Sequence, residues 1–488
     1  MSFHSLLPRP RRVEYAEGRL VLDIRTSVGG EPRVARWFRR HVGAATGLPL
    51  PLAAKPTIEF RIDPEVSGHR IEIGPEQALV TAQHSAAAHH AAQTLRQLLP
   101  PDAFRRAPVH DEPLSLPCGV IEDHPRFGWR GCHLDVARHF VPKRDVLRFI
   151  DLLAMHKLNV LHLHLTDDQG WRVEVPQYPE LTRIGSWRER SMIGRGEVPE
   201  YDEQPHGGFY TTEDLLEIVS YAGEHHVTVV PEIDVPGHSQ AAIAAYPELG
   251  SGEPVAVWDS WGVSDRILVP RRTTVDFYRD VLDHVMAVFP SPVICLGGDE
   301  VPGATPAHGA LLRRLIEHVH ARGRRTSAWD DAMQMTTLPS GTIVMAWDDA
   351  ESITRAAEAG NDVLLCPETH FYLDHRQSDH PDEPIPVGFL NTLENVYDYT
   401  PPTERVLGVQ AQVWTEHLDS TARIDYAAFP RLCAFAELAW SRDRDPGEFH
   451  HRLTQHHLPR LDAFGVDYRP LDGPYPWQLR PGIPGRPR

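Results

Sequence analysis

Cysteine is scarce in this chain: Cys118, Cys132, Cys295, Cys366 and Cys433 are the only five in 488 residues. They are scattered, odd in number and never spaced C-x-x-C, a pattern that yields neither a disulfide framework nor a zinc ribbon. No apolar run is long enough to span a bilayer. Residues 1–12 carry charge and proline but lack the apolar segment of a secretory leader, so the expected location is cytoplasmic. Basic residues are outnumbered, 49 Lys and Arg against 67 Asp and Glu, for a formal net charge of −18. Such a chain repels phosphates and anionic lipid, which argues against nucleic acid or membrane as partner and favours a neutral or cationic substrate. There is no internal repeat and no low-complexity tract.

Hydrophobic residues make up 41% of the chain, and eleven are Trp, whose faces stack well on sugar rings. The length suits two domains, one of them a barrel. Residues 1–120 read as a small α/β unit, with strands at Arg19–Ile24 and Thr57–Ile62 and a helix at Ser85–Leu99 ended by Pro100-Pro101. The Pro- and charge-rich stretch Pro100–Pro117 reads as a linker. Over 121–470 the rhythm changes to short apolar runs alternating with helical periods. The runs are Trp129–Leu134, Val160–Leu165, Val227–Ile233, Val293–Leu296, Arg325–Trp329, Ile343–Trp347, Asp362–Leu365 and Leu407–Val413. Spacing near 3.6 predicts helices at Val146–His156, Leu215–Tyr221, Val275–Phe289, Leu311–Val319 and Phe429–Ala439. Eight β/α units imply a closed (β/α)8 TIM barrel behind the small α/β domain. Residues 471–488, rich in Pro, Gly and Arg, read as a tail, poorly ordered or draped on the surface.

Polar residues gather at the C-terminal ends of these runs, the face that holds the active site in a barrel. Arg138, Asp167, Asp168, Glu232, Asp234, His238, Asp299, Glu300, Trp329, Trp347 and Trp414 all fall there. In Gly297-Gly298-Asp299-Glu300 two glycines permit a tight turn and two carboxylates follow. On an extended strand neighbours point to opposite sides, so the pair suits two separate tasks. Glycoside cleavage needs one carboxylic acid to protonate the leaving oxygen. A vicinal pair is not spaced to place a second carboxylate across the sugar ring, but a substrate acetamide can supply the nucleophile if Asp299 steadies its N–H. Taken alone, the pair reads equally as a loop or helix-cap ion pair. His162 and His164 share one strand face, and with His238 and Asp299 they also fit a metallohydrolase. Alternatively Asp167 orients His238, and His238 contacts and tunes Glu300. Arg138 suits vicinal hydroxyls or a structural ion pair. Trp329, Trp347 and Trp414 close three strands and can wall a methyl pocket or serve as core. Asp374 follows Tyr372 by two residues and Glu416 follows Trp414 by two, spacings that fit binding loops.

Seven stretches in order resemble the family 20 glycoside hydrolases, the β-N-acetylhexosaminidases. They are Gly131–Phe140 (GCHLDVARHF), Lys157–Trp171 (KLNVLHLHLTDDQGW), His206–Thr212 (HGGFYTT), Val230–His238 (VPEIDVPGH), Leu296–Val301 (LGGDEV), Phe371–Asp374 (FYLD) and Val413–Glu416 (VWTE). The resemblance implies exo-acting, retaining, substrate-assisted release of terminal β-linked GlcNAc or GalNAc from an oligosaccharide or glycoconjugate, with no metal or organic cofactor. By the same resemblance Glu300 matches the acid/base, Asp299 the acetamide-orienting residue and Tyr372 the group bonded to the acetamide oxygen. Arg138, Asp374 and Glu416 match the hydroxyl binders, Trp329, Trp347 and Trp414 the walls, and Asp167 and His238 the relay behind Glu300. One position departs: the family usually has His where this chain has Cys295, two residues before Gly297. A thiol is smaller and a weaker hydrogen-bonder, which puts the support behind the carboxylates in question.

Overall fold

Eight short apolar runs between residues 129 and 413 become one closed, all-parallel barrel in which sequence neighbours are spatial neighbours. A computed structural model describes residues 2–109, 113–196, 198–347, 350–380, 383–384, 388–402 and 406–483. The barrel strands are Trp129–Asp135, Val160–His164, Thr228–Glu232, Val293–Cys295, Arg325–Trp329, Ile343–Ala346, Asp362–Leu365 and Val406–Val413. Each lies within two residues of its sequence expectation. Such runs read as continuous apolar stretches because a parallel strand is covered on both faces. Among the helices outside are Lys143–Met155, Thr212–Glu224, Arg272–Val288, Pro306–His320 and Arg431–Trp440, where 3.6-residue spacing predicts them. The last begins later than expected, after Pro430. No helix among the described residues is long and apolar enough to cross a membrane.

The N-terminal unit is a six-stranded mixed sheet ordered Arg12–Leu22, Leu114–Asp123, His69–Ile73, Ala78–Ala82, Ile58–Ile62 and Val28–Gly30. Helices Pro32–Thr46 and Ser85–Gln97 belong to the same unit. Two boundaries move. A domain break at 120 would cut Leu114–Asp123, which pairs with two neighbours and ties the sheet together. The supposed linker Pro100–Pro117 holds a 3-10 turn at Pro101–Phe104 and the start of that strand; its residues 110–112 lie outside the described ones. Asp123 seals the junction with the barrel. It accepts from Lys157 Nζ at 2.9 Å and from the Trp440 indole at 2.9 Å, all three buried. At the other end the chain drapes rather than dangles. Arg423 donates to the carbonyls of Gln478 and Leu479, and Arg480 pairs with Asp419, so residues up to Ile483 run to the barrel rim; residues 484–488 of the tail lie outside the described ones.

Register decides what the barrel encloses. His133 stands opposite His162, His164 opposite Glu232, and Glu232 opposite Cys295 on successive strands. Barrel interiors are commonly filled by layers of branched aliphatic side chains. Here an apolar layer that includes Trp129, Val160, Val230, Val293 and Ile343 underlies a polar one.

Candidate active site

Above that polar layer, the turn after Val293–Cys295 presents Asp299 and Glu300. Gly297 (φ +61) and Gly298 (φ +88) adopt left-handed backbone that residues with a Cβ resist. A Cβ on Gly297 would fall 1.8 Å from Asp234 Oδ1, which itself accepts from the Gly298 amide at 3.1 Å. Glu300 is left-handed too, at φ 44. This backbone overturns the expectation that the carboxylates diverge. The chain is no longer extended here, and both turn toward one ring nitrogen. His238 Nε2 lies 3.7 Å from Asp299 Oδ2 and 3.6 Å from Glu300 Oε2.

Behind them runs an unbroken polar ladder. His238 Nδ1 is 3.2 Å from Asp167 Oδ1. Asp167 also meets His164 Nε2 at 2.7 Å and Arg138 Nη2 at 2.9 Å. His164 Nδ1 meets Glu232, and Glu232 accepts further from the Trp329 indole and the Cys295 thiol, both at 3.1 Å. His162 Nε2 lies 3.2 Å from the same carboxylate, while its Nδ1 accepts from Gln410 at 3.0 Å. His164 thus sits between two carboxylates, each of which can only accept. Burial disfavours its charge, but Glu232 and Asp167 outweigh that and keep the imidazole protonated well above its ordinary range. His238 is held up in the same way by Asp167, Glu300 and Asp299 against burial.

The two reacting carboxylates diverge electrically. Burial, reinforced by Glu232 and Glu300 against the opposing His238, pushes Asp299 up to about 7. The His238 contact holds Glu300 below its usual range, against the effect of burial. Asp299 Oδ1 is buried and has no hydrogen bond within the protein.

Around the pair opens a cavity of about 1380 Å³, lined by Arg138, Asp299, Glu300, Trp329, Trp347, Tyr372, Asp374, Trp414 and Glu416 among others. Asp167 and His238, the remaining two expected site residues, lie directly behind it. Trp347 and Tyr372 are stacked at 6.3 Å, and Trp329 and Trp414 lie 6.0 Å apart. Arg138 spreads its fork over Asp135, Asp167 and Gln169, which leaves two of its five N–H groups for a ligand. Asp374 Oδ1 is buried without a partner, and its carboxyl is pushed well up by burial and by Glu416. A second recess of about 610 Å³ opens on the other side of Glu300, beside Val301, Pro302, Asp331 and Met335.

Several contributors escape a reading of motifs. Asp331 accepts from the Trp347 indole at 3.2 Å. Arg195 reaches to 3.8 Å from Glu416. Arg431, fully buried, donates to the carbonyls of Leu373, His375, Asn391 and Ala427 and so shapes the segment that carries Tyr372 and Asp374. These residues sit on loops or on an apolar helix with no local signature; only the turn residues around them hint at order.

Two carboxylates that share one histidine, beside an aromatic-walled pocket at the C-terminal face of a barrel, suit acid-assisted cleavage of a glycosidic bond, and fold and site together define a glycoside hydrolase. The family model described as glycosyl hydrolase family 20, catalytic domain, matches residues 127–305 and 303–443, and that for domain 2 of the same family matches 4–124. The chain belongs to glycosyl hydrolase family 20. It is similar to a beta-N-acetylhexosaminidase of Cellulomonas fimi (36% identical, covering 91% of this chain and 84% of the relative). It is also similar to a beta-hexosaminidase of Porphyromonas gingivalis (32% identical, covering 95% of this chain but spanning 64% of that longer relative). Among solved structures, the GH20 beta-N-acetylhexosaminidase of Streptomyces coelicolor A3(2) superposes with a TM-score of 0.87 at 32% identity, covering 100% of this chain and 99% of that one. The Streptomyces plicatus N-acetyl-beta-hexosaminidase in complex with Thio-NAglucal gives 0.87 at 32% identity, covering 97% and 98%.

Proposed function

We propose that this chain is an exo-acting, retaining β-N-acetylhexosaminidase that removes terminal β-linked GlcNAc or GalNAc by substrate-assisted catalysis. The observation that carries the reading is Asp299 Oδ1, a buried acceptor with no partner, in a cavity whose walls include Trp329, Trp347, Trp414 and Tyr372. A 2-acetamido group offers the complement: an N–H for the carboxylate and a methyl for the aromatic walls. A relative named for the same activity, 36% identical over 91% of this chain, supports it.

The steps follow from the electrostatics. In the free enzyme Asp299 holds its proton up to about pH 7 while His238 keeps Glu300 ionised. An acetamide N–H donated to Asp299 favours its anion, and a sugar seated over Glu300 takes water from it and raises its proton affinity. The proton then belongs on Glu300. The acetamide oxygen attacks C1, assisted by a hydrogen bond from Tyr372, and the C1–O bond breaks. Glu300 protonates the leaving oxygen as an oxazolinium ring closes. Water, activated by the Glu300 carboxylate, opens that ring with net retention. Arg138, Asp374 and Glu416 hold the hydroxyls of the sugar, and the recess beyond Glu300 receives the leaving group.

Initial rates on a chromogenic β-GlcNAc glycoside and on the matching β-glucoside, for wild type and Glu300→Gln, test the reading. Turnover of the first only, nearly abolished by the substitution, is expected. Comparable glucosidase turnover would sink the mechanism.

A further inference from the structure

Far from the catalytic pocket, three side chains converge where the N-terminal unit meets the barrel. His41 lies on helix Pro32–Thr46 of the small domain, Asp151 on helix Lys143–Met155, and His225 caps helix Thr212–Glu224 just before the third barrel strand. That last position is on the N-terminal face of the barrel, opposite the active site. One ring nitrogen of each histidine and one Asp151 oxygen lie within 4.8 Å of one another.

Tautomers fix what these rings offer. His41 Nδ1 lies 2.9 Å from the Trp37 carbonyl, and His225 Nδ1 lies 2.8 Å from the Tyr221 carbonyl. A carbonyl can only accept, so both Nδ1 atoms carry hydrogen, and Nε2 is the nitrogen each ring can offer to a metal. An Nδ1–H bound to a backbone carbonyl is the usual outer support of a metal-ligating histidine. His225 Nε2 is buried and makes no hydrogen bond, although Asp151 Oδ1 is 3.1 Å away. A nitrogen and a carboxylate oxygen at that distance need a proton or a metal ion between them. The Tyr221 hydroxyl donates to Asp151 Oδ1 at 2.8 Å and orients the carboxylate. Trp37 stacks on His41 at 4.7 Å and fixes the ring. Asp151 is a quarter exposed, so an ion and its water ligand have access.

The cluster of His156 and His457 lacks this vacancy. His156 and His457 join Nε2 to Nε2 at 2.9 Å, with Leu152 O at one end and Arg460 at the other, a chain of donors and acceptors without a gap. In the barrel core, His162 and His164 belong to the ladder behind Glu300.

We infer that His41, Asp151 and His225 form a three-ligand site for a divalent transition metal, zinc by chemistry, that staples the N-terminal unit to the barrel. Two imidazoles, one carboxylate and a water suit tetrahedral zinc. Ligand atoms sit about 3.4 Å apart around such an ion, so His225 Nε2 and Asp151 Oδ1, now 3.1 Å apart, part slightly, and the three ligand atoms, all within 4.8 Å of one another, need only small side-chain movements.

The test uses the whole purified chain, stripped with a chelator and returned to micromolar zinc at neutral pH, with bound metal and melting temperature both measured. One zinc per chain and a rise of several degrees are expected. Asp151→Asn and His41→Gln should each abolish the stoichiometric zinc and the rise, and Tyr221→Phe should weaken binding about 10-fold. Cobalt in place of zinc should give a visible tetrahedral spectrum in wild type only. Hydrolysis at room temperature should be the same with and without zinc, because the site lies across the barrel from the chemistry. No uptake by the wild type would overturn the inference, and so would zinc retained in the double variant Asp151→Asn, His41→Gln. The zinc-free melting temperature of each variant shows that it folds, so lost binding cannot be mistaken for lost structure.

Discussion

Cys295 donates its thiol to Glu232 across 3.1 Å. Glu232 also takes hydrogen from His164 and from the Trp329 indole, and His162 lies beside it, so the thiol is one donor among several on a fully buried carboxylate. Cys295→Ala should leave Glu232 under-supplied and cost about 1–3 kcal/mol, the penalty of a buried charged acceptor losing a partner, read as a lower melting temperature. Its effect on turnover should be modest, because His164 and Asp167 still separate Glu232 from Glu300. Cys295→His should restore a full donor and keep activity. A large loss of turnover in Cys295→Ala with unchanged stability would mean that the thiol acts more directly.

Glu300→Gln should hurt poor leaving groups most. With an alkyl or sugar aglycone the loss should be about 10²–10⁴-fold, the typical contribution of a positioned acid. With a dinitrophenyl aglycone, which departs without a proton, the first step should be almost untouched. A series of aryl glycosides measured in both proteins checks this, and a defect independent of leaving-group acidity would remove Glu300 from the role of acid.

Asp299 carries a proton more tightly when folded than when unfolded, about 7 against 3.8. The fold therefore binds more protons than the unfolded chain between those values, and this contribution to stability is fully present below the lower one and lost as pH rises through the upper one. Asp299→Asn cannot titrate. The difference in melting temperature, variant minus wild type, should be small near about pH 4, grow by several degrees toward about pH 8 and then level off. The same variant should lose about 10²–10³-fold in rate, as when one electrostatic partner of a reacting group is removed. A flat difference across pH would contradict the burial argument.

Arg431 holds the carbonyls of Leu373 and His375 in the segment that bears Tyr372 and Asp374, and those of Asn391 and Ala427 beside it. Arg431→Met keeps the bulk but leaves those acceptors bare. It should lower stability by about 3–5 kcal/mol and raise KM for the hexosaminide more than it lowers kcat. Urea denaturation and steady-state kinetics on the same preparation check both halves.

The barrel was legible because its strands are short apolar runs with polar residues at one end, a pattern that any buried parallel strand must show. The eleven residues expected in the site, which the structure gathers around or behind one cavity, each sit inside or beside a short motif, most of them just after a strand end. What escaped has no such address. The strand Leu114–Asp123 was hidden by Pro113 and Pro117, which mimic a linker. The convergence of Asp299 and Glu300 on His238 depends on left-handed backbone at Gly297, Gly298 and Glu300, and side-chain alternation cannot anticipate it. Arg431 was invisible because a buried arginine serving backbone carbonyls looks, in sequence, like any helical surface arginine.

The polar layer enclosed by the barrel has a further consequence, for inheritance and for design. In many barrels the rim loops are interchangeable parts on an indifferent scaffold. Here the chemistry is rooted through His238, Asp167 and His164 down to Glu232 and Cys295, which occupy inward positions on the second, third and fourth strands. Grafting the rim of this enzyme onto another barrel would carry the teeth without the jaw. The transferable unit is the rim together with the strands beneath it.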